Sequence, residues 1–382
     1  VRRGTWLKLF LLWLTGMDLR VTLLAVPPLI THIHQTLHLS ETEVGILNGM
    51  PVLLLSAAAT LGSMVVARLD GRRATLIGLV MVAAGSALRG IGLSRVMLFG
   101  MTFLMGIGIA IVQPALPSLV YNWMPDGIGL ATAVYSNGLF VGEVLAAALT
   151  ASYVLPLLGG WPQALAFWSA LPLITAILIA TCTASPPASS NTRAPWFPDF
   201  KDPRTWRLGL IQASSSVIYF GSNAFVPDYL HAVGASHLIG VVLGWLSAGQ
   251  IPPSLFLLTF SQRFVGRRAI LQFDALLTAC GLALFFVSHP WCRILGAALL
   301  GFTSAFAFML ALAYPPLLAE HASEAARLSA GMFTVGYALA FFLPTLGGWA
   351  WDHSGLAWTS LFPVAMASAL LLIAPIGLKV SK

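Results

Sequence analysis

Charge is what this sequence has least of. Asp, Glu, Lys and Arg make up 9% of its 382 residues, against 58% hydrophobic residues. Soluble domains carry about 25% charged residues, and a water-facing surface cannot be covered with so few, so a soluble enzyme or binding module is excluded. Cysteine is scarcer still: Cys182, Cys280 and Cys292 are too few and too dispersed for a disulfide framework or a zinc site, and read as apolar fillers. No H-E-x-x-H or comparable cluster points to a metal, and no cofactor is expected. The apolar segments are long and continuous rather than alternating over about ten residues as barrel strands do. The reading is an all-α polytopic membrane protein.

A helical span takes about 20 apolar residues, and with short loops the chain has room for about twelve. They fall at 7–30, 42–66, 74–92, 96–120, 128–155, 162–182, 207–231, 237–261, 268–288, 292–318, 328–351 and 357–378. Ser40 with Glu43 forms a capping box opening span 2. Pro125-Asp126-Gly127 and Gly159-Gly160-Trp161-Pro162 break the chain between spans. Arg2, Arg3 and Lys8 precede an apolar run long enough to span and stay, so no cleavable signal is expected.

The net charge of +7 suggests a nucleic-acid partner until the bases are placed. Arg2, Arg3, Lys8, Arg68, Arg72, Arg73, Arg193, Lys201, Arg204, Arg207, Arg263, Arg267, Arg268, Arg327, Lys379 and Lys382 fall at the termini and in alternate loops. The opposite side has Arg89, Arg95 and Arg293, and Arg20 lies inside span 1. Cytoplasmic loops carry the Lys/Arg excess, so both termini are expected in the cytoplasm of a plasma (bacterial inner) membrane protein, with no nucleic-acid partner.

Residues 183–206, rich in Pro, Ser and charge, read as a linker between six-helix bundles at 1–182 and 207–382. The halves resemble one another. Gly45, Asn48 and Gly71-Arg72-Arg73 correspond, 195 residues on, to Gly240, Leu243 and Gly266-Arg267-Arg268. Val26-Pro27 recurs as Val226-Pro227, and Gly138 matches Gly336. Parallel repeats of six spans are a secondary-transporter architecture, with the substrate site between the halves near the midplane.

The repeated basic turn resembles the loop signature of the major facilitator superfamily. Its first copy, GSMVVARLDGRR (62–73), departs from the family spacing, and its second, SQRFVGRR (261–268), lacks the acid. A closer resemblance, over nearly the whole chain, is to the cyanate porter branch, which includes cyanate and 2-nitroimidazole transporters. It rests on LRVTLLAVPPLI (19–30), SALRGIG (86–92), GIGIAIVQPALPSLV (106–120), WPQALAFWSALPL (161–173), VIYFGSNAFVPDYL (217–230) and LSAGMFTVGYALA (328–340). The resemblance implies the major facilitator fold, twelve helices in two six-helix pseudo-repeats, and a transporter with spans 1, 4, 7 and 10 lining a central cavity.

Arg20, near the middle of span 1, needs a cavity or a partner. It reads either as an anion clamp, since guanidinium matches oxyanions, or as half of a structural ion pair. Glu143, deep in span 5, is open to three readings: partner of Arg20, proton-coupling carboxyl, or substrate contact. Asp18, two residues from Arg20, points to nearly the opposite side of the helix and is expected against a neighbouring span. Asp274 is expected to snorkel, and Asp228 to sit at the outer end of span 7 as a gate contact or a solvated acid. The uncharged candidates for substrate contact are Gln113, Asn137, Tyr219, Asn223 and Gln250; Tyr219 and Asn223 share a helical face. The alternative for each is an interhelical hydrogen bond.

Seven of the eight histidines (His32, His34, His38, His231, His237, His289 and His353) fall on the outer side, as interfacial groups or external pH sensors. Gly138 and Gly142 have a close-packing spacing. Gly106-x-Gly108 lies inside an apolar helix and is no dinucleotide loop. The turns Gly71-Arg72-Arg73 and Gly266-Arg267-Arg268 read as a cytoplasmic gate, latched by ion pairs or helix-dipole contacts with Asp126 and Glu320 as partners, or as topology signals alone. The expected function is secondary active transport of a small polar or anionic organic solute by a monomer in the bilayer, with protons as the coupling ion. The competing reading is export of lipophilic drugs, with Arg20 structural.

Overall fold

The computed structural model describes residues 3–183 and 195–378. Among them all regular structure is helical. Residues 184–194 of the expected linker and the basic Arg2, Arg193, Lys379 and Lys382 lie outside the described residues. By contacts the chain divides into two compact units, Val1–Pro198 with Ala319–Ala330, and Asp199–Leu318 with Gly331–Lys382.

The first unit contains α1 (Arg3–Leu24), α2 (Ile30–Leu37), α3 (Glu41–Ala57), α4 (Ala59–Leu69), α5 (Gly71–Leu88), α6 (Arg95–Trp123), α7 (Ile128–Leu149), α8 (Leu155–Leu158), α9 (Trp161–Trp168) and α10 (Ala170–Cys182). The second holds α11 (Pro203–Ala232), α12 (Ile239–Ala248), α13 (Ile251–Phe264), α14 (Arg268–Phe285), α15 (Pro290–Leu318), most of α16 (Ala322–Ser354) and α17 (Phe362–Ile373).

Several expected spans are broken where the backbone loses its ladder. Pro27 and Pro28 cannot donate, so α1 stops at Leu24, a 3-10 turn covers Pro27–Leu29, and α2 carries the chain on to Leu37. Span 2 is divided at Ala58 into α3 and α4. Span 8 is divided at Gly249-Gln250 into α12 and α13, with Pro252 and Pro253 in the first turn of α13. Span 5 ends in a π turn at Thr150–Val154, where Thr150 Oγ1 accepts from the Trp168 indole at 3.0 Å. The capping box is present: Glu43 N–H donates to Ser40 Oγ at 3.2 Å, and Ser40 N–H to Glu43 Oε2 at 2.7 Å.

Among the described residues, nine helical stretches are long and apolar enough to cross a membrane. The remaining three spans are short or polar. Ala59–Leu69 and Ala357–Ile373 are shorter apolar stretches, whereas α11 has 30 residues but buries Gln212, Ser214, Ser215 and Ser216 along its length.

Small residues set the helix spacing. In the first unit α1 and α7 touch through backbone: a Cβ on Gly138 would stand 2.1 Å from the Trp13 carbonyl oxygen, and one on Gly142 2.3 Å from that of Met17. Gly16 meets the Tyr135 carbonyl in the same way. Each unit repeats a reciprocal glycine contact, Gly78 with Gly108 between α5 and α6, and Gly281 with Gly296 between α14 and α15. Such contacts let dispersion act at backbone distance, where lipid offers no hydrophobic drive for helices to associate.

Candidate substrate site

The α1–α7 seam carries three of the residues singled out from sequence. Asn137 lies one residue before Gly138, and its Oδ1 accepts from Trp13 Nε1 at 2.9 Å. Glu143 follows Gly142, which meets Met17; Arg20 is three residues past Met17, within about one helical turn of that level. Arg20, Asn137 and Glu143 are each half-buried, and each has an interaction partner. Trp13 and Arg20 are seven residues apart and therefore share a face of α1.

Asp18 lies on the other side of α1. It is 0% exposed, and its carboxylate oxygens accept no hydrogen bond among the described residues. The nearby Thr175 hydroxyl donates instead to the Leu171 carbonyl at 3.1 Å. The two charged residues of α1 thus occupy different environments.

The other candidates divide by exposure. Gln113 in α6 and Gln250 at the α12–α13 break are buried. Tyr219 and Asn223 in α11 are half-buried, and the Asn223 amide donates back to the Tyr219 carbonyl at 3.0 Å. Asp228 is exposed. Asp274 departs from expectation: instead of snorkelling it is 1% exposed, with no hydrogen-bond partner for its carboxylate among the described residues. The reason is its face of α14, shared with the buried Leu271, Ala275 and Thr278.

The two basic turns differ. Arg72 caps the end of α10, donating through Nε to Thr183 Oγ1 at 2.8 Å and through Nη2 to the Ala180 and Ile179 carbonyls at 2.9 and 3.2 Å. This is a cation on the negative end of a helix. Arg73 pairs with Asp70 at 3.7 Å, and Asp70, at φ 90°, also caps α5 by accepting from Arg73 N–H. Gly71 is buried against Ser118. In the second copy Gly266 takes the left-handed conformation at φ 83°, while Arg267 and Arg268 are exposed. Glu320, an expected latch partner, accepts through its carbonyl from the Tyr121 hydroxyl.

Sequence reasoning missed three features. Trp13, the donor to Asn137, carries no sequence signal beyond its place on the Arg20 face. Arg89 and Arg293, counted with the bases of the side opposite the termini, are buried; the signal was that they fall inside the expected spans 74–92 and 292–318. Glu320, His321 and Glu324 bring ligand atoms within 4.8 Å of one another, but Glu324 Oε2 is already taken by Glu320 N–H at 2.8 Å, as a cap on α16.

The fold and the repeat can now be set against known proteins. The sequence model of the Major Facilitator Superfamily matches residues 9–344. The chain belongs to this superfamily. Within it, the 2-nitroimidazole transporter of Escherichia coli (strain K12) is 30% identical over 366 residues, covering 93% of this chain and 91% of that one. The cyanate transport protein CynX of the same organism is 27% identical over 346 residues, covering 89% and 88%. The crystal structure of the E. coli fucose:proton symporter FucP matches with a TM-score of 0.74 at 14% identity, covering 98% of this chain and 99% of that one; at that identity the match concerns the fold alone. The superfamily fold and the resemblance to the cyanate porter branch both hold, and the protein is a multi-pass membrane transporter, not an enzyme.

Proposed function

We propose that this superfamily member is a secondary active transporter, carrying a small polar or anionic organic solute across the bacterial inner membrane by alternating access, as a monomer with both termini in the cytoplasm. The observation that carries this reading is Arg20, a half-buried arginine near the middle of a membrane helix. Such a residue is retained where it faces a cavity or partner, and its fork suits carboxylates and other oxyanions. Asn137, Gln113, Tyr219, Asn223 and Gln250 supply hydrogen bonds for orientation. Glu143, at about the level of Arg20, is the proton-coupling group. The Gly71-Arg72-Arg73 and Gly266-Arg267-Arg268 turns form the cytoplasmic gate. Two relatives are named for cyanate and for 2-nitroimidazole, both small and polar, which agrees with this cargo class.

The test is thermal unfolding of the purified protein against a panel of small carboxylates, cyanate, neutral nitroheterocycles and lipophilic cations. A ligand at about a hundred times its Kd adds about 2.7 kcal/mol to stability. Stabilisation by anions that Arg20→Ala removes is the expected result. Stabilisation by lipophilic cations alone would make Arg20 structural and the protein a drug exporter.

A further inference from the structure

The first unit contains a buried positive charge with no ion-pair partner among the described residues. Arg89, just past the end of α5, is 0% exposed. Its Nη2 donates to the Thr22 carbonyl at 2.9 Å and to Ser86 Oγ at 3.0 Å. Its Nε and Nη1 are buried without an acceptor among the described residues, and it takes part in none of the ion pairs found there. Asp18, the other fully buried charge of the unit, does not reach it. A buried carboxyl can shed its charge by taking up a proton, but a guanidinium stays protonated. An unpaired buried charge is costly, so Arg89 calls for a negative group that the described residues do not supply.

The surroundings add donors and no acid. Trp161, the first residue of α9, is 3% exposed, and its indole N–H is likewise buried without an acceptor. The end of α5 packs against α9, where Ser86 Oγ, an acceptor from Arg89, donates to the Leu165 carbonyl at 3.0 Å. Trp161 packs in the same apolar cluster as Val21 and Ala25, on either side of Thr22 in α1. Pro162, the next residue, abuts Gly90, the residue after Arg89, with 2.3 Å between its Cβ and one built on Gly90. Trp161 also lines a cavity of about 380 Å³ with His32, Gln35, Thr36, Gly159 and Gly160, and no lining residue is acidic. Gly160 gives α9 no side-chain cap, which leaves its first-turn amides to another acceptor.

We propose that Arg89 and Trp161 form a binding site for a small monovalent anion, entered from this cavity and distinct from Arg20. The site stands independently of the solute reading above.

The test is thermal unfolding of the purified full chain in sodium gluconate, replaced stepwise by chloride or nitrate at constant ionic strength. The expected result is a saturable rise in Tm. Trp161→Phe keeps the aromatic packing but removes the N–H, and should weaken the apparent affinity by about tenfold, the usual effect of losing a hydrogen bond to a charged group. Arg89→Lys should weaken it further, and Arg68→Ala, at an exposed arginine of the same unit, should leave it unchanged. Absence of a saturable rise would overturn the proposal. So would a rise that persists unchanged in Trp161→Phe or is lost in Arg68→Ala. If Arg89→Lys does not fold, Trp161→Phe decides alone.

Discussion

Trp13 Nε1 donates to Asn137 Oδ1 at 2.9 Å, beside the point where Gly138 rests on the Trp13 carbonyl. One residue of α1 therefore holds α7 by both its side chain and its backbone, at the level below Arg20 and Glu143. Trp13→Phe keeps the ring and loses the bond. A cost of about 0.6 kcal/mol is expected, typical of interhelical hydrogen bonds in membranes. A double-mutant cycle with Asn137→Ala, read by chemical or thermal unfolding, checks it: zero coupling energy would mean that the bond contributes nothing.

Gly138→Ala should be far more damaging than its one added methyl suggests. The new Cβ would stand 2.1 Å from a carbonyl oxygen, and backbone cannot step aside as a side chain can. Helices α1 and α7 must separate, at a cost of about 1–3 kcal/mol or more. Gly100→Ala in α6, where nothing lies within 4 Å of the new atom, should be neutral or stabilising by about 0.4–1 kcal/mol. The two Tm values should bracket the wild type.

Arg72 and Arg73 should part company on substitution, although the sequence places them in one turn. Arg72→Ala strips the end of α10 of three hydrogen bonds and should cost about 1–3 kcal/mol. Arg72→Lys should not restore this, because an ammonium lacks the planar fork. Arg73→Ala removes only an exposed ion pair at 3.7 Å and should change stability by less than about 1 kcal/mol. Equal effects of the two alanine variants would refute the division of roles.

Glu143→Gln should abolish solute accumulation driven by a pH gradient in proteoliposomes while leaving solute exchange intact. Unchanged pH-driven accumulation would remove Glu143 as the coupling group. Asp18→Asn should leave stability unchanged or raise it, since at constant volume it relieves a buried carboxyl that accepts no hydrogen bond among the described residues. A large fall in Tm would show that the carboxyl makes a specific bond in the folded state.

Much of this architecture is legible in the sequence because the bilayer imposes it. Continuous apolar runs, the lopsided placement of arginines and the recurrence of Gly-Arg-Arg express one-dimensional constraints: span length and charge by side. The capping box at Ser40 is equally local and is present in the fold. The opposite orientations of Asp18 and Arg20 follow from two residues of helical rotation alone.

Other features depend on contacts between residues distant in sequence. Asp274 and Arg89 look like residues near helix ends, yet both are buried, because burial depends on which neighbour packs over a helix face and not on position along it. At the Gly249-Gln250 break Gly249 packs on the Ala298 carbonyl of another helix, where a Cβ would stand 2.3 Å from that oxygen. The partner of Asn137 sits 124 residues away, and no periodicity announces it. The sequence alone determined that this is a helical membrane transporter of two repeated halves, since hydropathy and charge placement are additive along a chain. Which buried charges find partners, and which helices meet backbone to backbone, was decided by the tertiary structure, because those relations exist only once packing has brought distant residues together.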